Sequence, residues 1–195
     1  MTVHPYDHLT TSIAQTRYAM AANFLNDCRL VLEIGGSRYC SIDSFMTDER
    51  ERVLVVGNDI LDMEVWEDGV RYFNNSVEDF PFGQHLNGYN EGNIGLCILG
   101  LELLPKQPDT DPLAVLISEI HRFDKVVIDY VTTNELASRQ SIILSGALQA
   151  ADIELVIDMV FEWQFDRKYF VTKEAQGLEP SPSFFRQRRL MVFER

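Results

Sequence analysis

Apolar residues in this chain fall into short continuous runs, each stopped by turn residues, and helical spacing fills most of the stretches between them. The run Leu30-Val31-Leu32-Glu33-Ile34 enters the pair Gly35-Gly36, and Arg52-Val53-Leu54-Val55-Val56 enters Gly57-Asn58-Asp59. Comparable runs follow at 70–74, 94–99, 125–130, 153–163 and 189–194. Runs that are continuous rather than alternating suit strands buried on both faces, so the pattern predicts seven strands. Residues 12–25 read as a helix, with Ala14, Tyr18, Ala21, Ala22 and Leu25 on one face and Thr10 or Thr11 as cap. Residues 135–151 read the same way, with Leu136, Ile143, Leu144, Ala147 and Leu148 inward. A third helix over 113–122 follows the cap and first-turn pair Asp111-Pro112, and a weak short helix falls within 41–52. Between Asp59 and Val70 there is room for one turn of helix at most, and 75–82 and 176–183 read as loops.

Strands separated by helices, then two terminal strands joined without a helix and therefore antiparallel to each other, give an α/β fold: a doubly wound, mostly parallel seven-stranded sheet with an antiparallel C-terminal strand, the terminal pair making an antiparallel edge. The 195 residues fit one domain, with 1–28 as a helical cap and 29–195 as the core. The net charge of −13 opposes a nucleic-acid partner. The one basic cluster, Arg186, Arg188 and Arg189, reads as a solvated face or sheet edge. Cys28, Cys40 and Cys97 lack the spacing of a metal or disulfide framework and read as reduced, buried thiols. No apolar window approaches a membrane span and the first residues lack a signal-peptide pattern, which sets a cytoplasmic protein as the expectation.

In open α/β sheets ligands bind beyond the carboxyl ends of the strands, which points to the Gly35-Gly36 turn. Val31-Leu32-Glu33-Ile34-Gly35-Gly36 is similar to the first motif of the class I S-adenosylmethionine-dependent methyltransferases, and the resemblance runs from about Leu30 to Phe193. Val56-Gly57-Asn58-Asp59 resembles that family's second strand, Ser76 to Phe82 the segment that frames the adenine, and Cys97 to Leu104 the floor beneath the methyl group. The resemblance implies S-adenosylmethionine as cofactor and S-adenosylhomocysteine as product, held by Glu33, Gly35, Gly36, Asp59, Glu78, Asp79, Leu99 and Gly100. Asp59 lies 24 residues after Gly35, close to the spacing of roughly 20 at which a strand-tip carboxylate meets ribose hydroxyls in dinucleotide folds. Glu33 is placed to accept from the cofactor's ammonium, directly or through water.

Candidates for touching the acceptor are Tyr130, Asp129 and Glu102, all at strand ends. The histidines, His4, His8, His85 and His121, show no metal spacing, and Tyr6 with His4 and His8 is a candidate lid. The aromatic run Phe161, Trp163, Phe165, Tyr169 and Phe170 reads as core or as a homodimer surface. Ser37-Arg38-Tyr39 is bulkier than the family's usual run after the glycines. Two functions stand: methyl transfer to a small-molecule acceptor, or a non-catalytic binding or assembly module on the same fold. An NAD-linked oxidoreductase fits less well, since Gly-x-Gly-x-x-Gly is absent.

Overall fold

The computed structural model describes residues 12–36, 41–46, 52–57, 65–67, 70–87, 93–104, 111–161 and 187–195. The strands are β1 (Leu30–Ile34), β2 (Arg52–Val56), β3 (Val65–Glu67), β4 (Val70–Phe73), β5 (Ile94–Leu99), β6 (Lys125–Val131), β7 (Glu154–Phe161) and β8 (Arg188–Glu194). The helices are α1 (Ser12–Leu25), α2 (Phe82–Leu86), α3 (Pro112–Ser118) and α4 (Glu135–Ala150). All the strands join one sheet in the order β3-β4-β2-β1-β5-β6-β8-β7. β1 pairs in parallel with β2 on one side and with β5 on the other, so the chain reverses its direction of travel across the sheet there. In open α/β sheets such a reversal marks where ligands bind beyond the strand tips.

Strand alternation sorts the apolar residues onto two faces. Leu32, Leu54, Leu96, Val126 and Phe193 enter one core with residues from α2, α3 and α4. Val31, Val53, Cys97, Val127 and Val192 enter a second core with Tyr18, Ala21, Ala22 and Leu25 of α1. Both faces are thus covered, which is why β1 and β5 are buried along their whole length and read as unbroken apolar runs. By the same alternation Glu33 and Asp129 point into the α1 layer.

The seven expected strands are present, and β3 is an eighth. Where one helical turn was expected before Val70, β3 pairs antiparallel with β4, Trp66 opposite Arg71. Asp68-Gly69 lies at the connection, and Asp-Gly is a strong two-residue hairpin signal. The two terminal strands form an antiparallel pair at one edge of the sheet, as expected, with β8 between β6 and β7, antiparallel to both, and β7 outermost.

Within 75–82, read as a loop, Phe82 starts the short helix α2, and Phe82 and Leu86 are buried. The helix of 113–122 is broken into α3 and a 3-10 turn over Ile120–Arg122, with Asp111 capping Ala114 N–H as anticipated. The inner face of α4 matches the expectation in part. Ala137, Gln140, Ser141, Leu144 and Leu148 are buried, while Leu136 and Ile143 are exposed. Leu144 and Leu148 are inward as expected and Ala147 packs against the core, while Gln140 and Ser141 take the positions that leave Leu136 and Ile143 outside. No helix among the described residues is long and apolar enough to cross a membrane.

Candidate functional site

The site begins with backbone at two neighbouring strand tips. Gly35 has φ +80°, a conformation that costs glycine little, and it turns the chain sharply out of β1. A Cβ on Gly36 would fall 2.5 Å from Glu33 Oε1 and 2.8 Å from Val55 Cγ1. A Cβ on Gly57 would fall on the Gly36 carbonyl oxygen, well inside contact distance. The tips of β1 and β2 are therefore packed backbone to backbone, and Gly57, a residue singled out only as a turn former, is what admits the Gly36 carbonyl.

Beneath this turn lies Glu33, 1% exposed. Its Oε2 accepts hydrogen bonds from Ser41 Oγ and from Ile42 N–H, both at 2.9 Å. The Tyr18 hydroxyl also hydrogen-bonds to the carboxylate. Oε1 has no hydrogen-bond partner among the described residues. Burial pushes the Glu33 carboxyl up to about 7, against the opposing pull of Ile42, Ser41 and Tyr18. Ser41 and Tyr18 escaped the sequence reading because a serine in a loop and a tyrosine on a helix carry no signal of the carboxylate they serve.

A second buried carboxylate sits on the same face. Asp129, fully buried, is held by two arginines. Arg17 Nε and Nη2 reach Oδ2 and Oδ1, each at 2.6 Å, and Arg188 Nε and Nη2 reach them at 2.8 and 3.1 Å. Gly100 N–H donates to Oδ1 at 2.6 Å. Burial alone would push the Asp129 carboxyl up, yet the two guanidiniums hold it below the usual value. Arg188 also pairs with Glu102 at 2.8 Å, and Glu102 Oε2 accepts Val131 N–H at 3.3 Å. Arg188 is thus buried in an ion-pair network, contrary to its reading as part of a solvated basic face, and Arg189 pairs with Asp158. Arg186 lies outside the described residues.

Glu33, Gly35 and Gly36 come together at the β1 tip. Leu99, buried, and Gly100, at φ 99°, end β5 beside it. Gly100 is tied to Asp129, so the turn after β5 and the end of β6 form one unit. Asp79 is exposed and accepts a hydrogen bond from Ser76 Oγ at 2.8 Å, with Glu78 next to it and half-buried. Their segment is anchored by Val77, Phe80 and Phe82 in the core, and Phe80 stacks on His85 with ring centroids 5.4 Å apart. Tyr130 is buried and hydrogen-bonds to Arg189. Asp129 and Glu102 are both committed to arginines. Asp59, the residues 37–40 that follow the glycines, and the candidate lid with Tyr6, His4 and His8 lie outside the described residues, as does the aromatic run beyond Phe161.

The close Gly36–Gly57 backbone contact and a Glu33 oxygen without a hydrogen-bond partner among the described residues stand together at the β1 tip, where the carboxylate is an acceptor suited to a cationic amine. Those residues fit the amino-acid end of S-adenosylmethionine. No described group of His, Cys, Asp and Glu is arranged to hold a metal ion.

No family model and no curated protein matches the sequence. Solved structures do. The N-methyltransferase NodS of Bradyrhizobium japonicum, in complex with S-adenosylhomocysteine, superposes with a TM-score of 0.57 at 10% identity, over 96% of this chain and 90% of that one. The 1,6-didemethyltoxoflavin-N1-methyltransferase of Burkholderia thailandensis gives 0.54 at 15% identity, over 97% and 81%. A putative RNA methyltransferase of Pyrococcus horikoshii gives 0.54 at 11%, over 93% and 82%. With the reversal of strand order at β1 and the inserted antiparallel β8, these likenesses establish that the chain has the class I methyltransferase fold.

Proposed function

We propose that the chain binds S-adenosylmethionine at the β1 tip and transfers its methyl group to a small-molecule acceptor. The observation that carries this reading is Glu33, a buried carboxylate with one oxygen unpartnered among the described residues, directly beneath the Gly36 turn. Gly35, Gly36 and Gly57 let the ligand lie on main chain, Glu33 receives its ammonium, and Leu99 and Gly100 line the approach to the methyl group. Asp59, Glu78 and Asp79 are assigned to the adenosine end. When bound, the cofactor supplies a methyl group already activated by its sulfonium, so the protein's share is positioning and exclusion of water.

A small acceptor is favoured over nucleic acid because the chain carries a net charge of −13 and Arg188 and Arg189 are both engaged in ion pairs. The structural neighbours named above include both acceptor classes. One observation favours the second reading, a binding module without catalysis: Asp129 and Glu102, two of the three candidate catalytic groups, are neutralised by arginines.

Calorimetry with S-adenosylmethionine and S-adenosylhomocysteine tests the proposal. Binding of both is expected, weakened at least tenfold by Glu33→Ala. The absence of binding by either ligand at millimolar concentration sinks both cofactor roles, and binding without methyl transfer to any metabolite pool selects the second reading.

A further inference from the structure

Glu33 does not behave as a ready-made anion. Its two oxygens are treated unequally, since the hydrogen bonds from Ser41 and Ile42 converge on Oε2 while Oε1 is buried without a partner among the described residues. No described arginine or lysine pairs with it, because Arg17, on the same helix as Tyr18, is turned to Asp129 instead. The groups facing it are Tyr18 from α1, Ser41 and Asp43 from the segment after the turn, and Cys97 opposite it on β5, with Val55 from β2 apolar. Asp43 adds negative charge, and the Cys97 thiol, pushed well up by burial and by Glu33 and Asp129, stays neutral. A carboxylate in such surroundings is costly to ionise, and a neutral acid there is not.

We propose that Glu33 is held as a neutral acid in the ligand-free protein and releases its proton to solvent when a cationic amine settles against Oε1, so that cofactor binding is proton-linked. The inference rests on the cofactor assignment above and adds a regulatory property to it. The charge balance is closed: one proton passes from the carboxyl to the buffer, and the ammonium of the ligand replaces it, so a neutral acid becomes a neutral ion pair. Tyr18 and Ser41 are positioning residues in this exchange. They donate to the ionised form and so set the pH at which it occurs. With the carboxyl near 7, affinity falls about tenfold per pH unit below neutrality and is level with respect to Glu33 above it.

The test is calorimetric titration with S-adenosylhomocysteine at pH 6.0 in two buffers of unlike ionisation enthalpy, which counts protons released. At that pH the ligand's own amine is already protonated, since an α-amino group titrates at about 7.7–8.0. Release of about 0.9 proton per ligand is expected from the wild type and none from Glu33→Gln. In the ligand-free protein, the carboxyl carbon resonance assigned to Glu33 should titrate near neutrality. Ser41→Ala, which removes one donor to the carboxylate, should move that midpoint upward. Failure of S-adenosylhomocysteine to bind the wild type overturns the cofactor assignment. Binding without proton release, or with release unchanged in Glu33→Gln, overturns the proton linkage alone. Should Glu33→Gln not fold, a Glu33 midpoint in the ordinary carboxylate range, or one that Ser41→Ala leaves unmoved, overturns it equally.

Discussion

At the scale of single residues, Glu33 makes a stability argument as well as a binding one. Its carboxyl sits near 7 in the folded protein against an ordinary value of 4.5, so the folded state holds more protons than the unfolded chain between those values. Glu33 therefore contributes its stability at low pH, and that contribution is lost as the pH rises towards 7. Glu33→Gln, neutral at every pH, should melt progressively higher than the wild type from pH 4.5 to 7, with a constant difference above that. Melting curves of the two proteins across this range check it, and parallel curves would contradict the buried-acid description. Gly36→Ala puts a methyl group 2.5 Å from Glu33 Oε1, and a loss of about 1–3 kcal/mol in denaturant unfolding is expected from such overpacking. Gly57→Ala should cost more, because its obstacle is a carbonyl oxygen of the backbone rather than a movable side chain. Glu33 and the glycines were legible in the sequence because strand, carboxylate and turn lie within seven consecutive residues. Arg17 was not, since its partner Asp129 is 112 positions away and no local pattern connects them.

At the scale of elements, α1 is fastened to the sheet by consecutive residues reaching different strands: Arg17 to Asp129 on β6 and Tyr18 to Glu33 on β1. The packing of α1 was readable from its spacing, with Tyr18, Ala21, Ala22 and Leu25 all buried as expected. Its polar fastening was not, because periodicity marks which side faces inward and says nothing of what a charged neighbour meets there. Removing one partner of a buried ion network leaves the opposite charges uncompensated. Asp129→Asn, which strands the Arg17 guanidinium and leaves Arg188 only Glu102, should cost about 3–5 kcal/mol. Arg17→Met leaves Asp129 with Arg188 and Gly100 N–H, and a smaller loss is expected in the same urea titrations. Asp129 is held below the usual carboxylate value, so its stabilising contribution is present above the unfolded value of 3.8 and disappears as the pH falls through the folded one. The inner face of α4 shows the converse limit. Leu144 and Leu148 face inward as read, but Gln140 and Ser141 join them while Ile142 and Ile143 face out, because apolar counting misses the positions where tertiary contacts bury polar side chains.

At the scale of the whole molecule, the class of fold was legible because parallel strands buried on both faces leave unbroken apolar runs, whereas strand neighbours do not follow from chain order. The acidic balance has a measurable consequence: at −13, the affinity for a small neutral or cationic ligand should vary little with salt compared with the steep loss seen in phosphate-backbone binding. Calorimetry of S-adenosylhomocysteine at low and high sodium chloride checks this, and a steep salt slope would point to an unrecognised basic surface. The position of β8 bears on how the molecule is made. β7 leaves the ribosome before its one described sheet neighbour exists, and β6 waits still longer with that edge unpaired. Asp129 likewise emerges well before Arg188. Until β8 is synthesised, β6 is unpaired on that side, β7 has no described partner, and Asp129 is incompletely paired. A chain stopped before Arg188 should be recovered aggregated or bound to chaperones, and completion of that single strand is the step that closes the sheet.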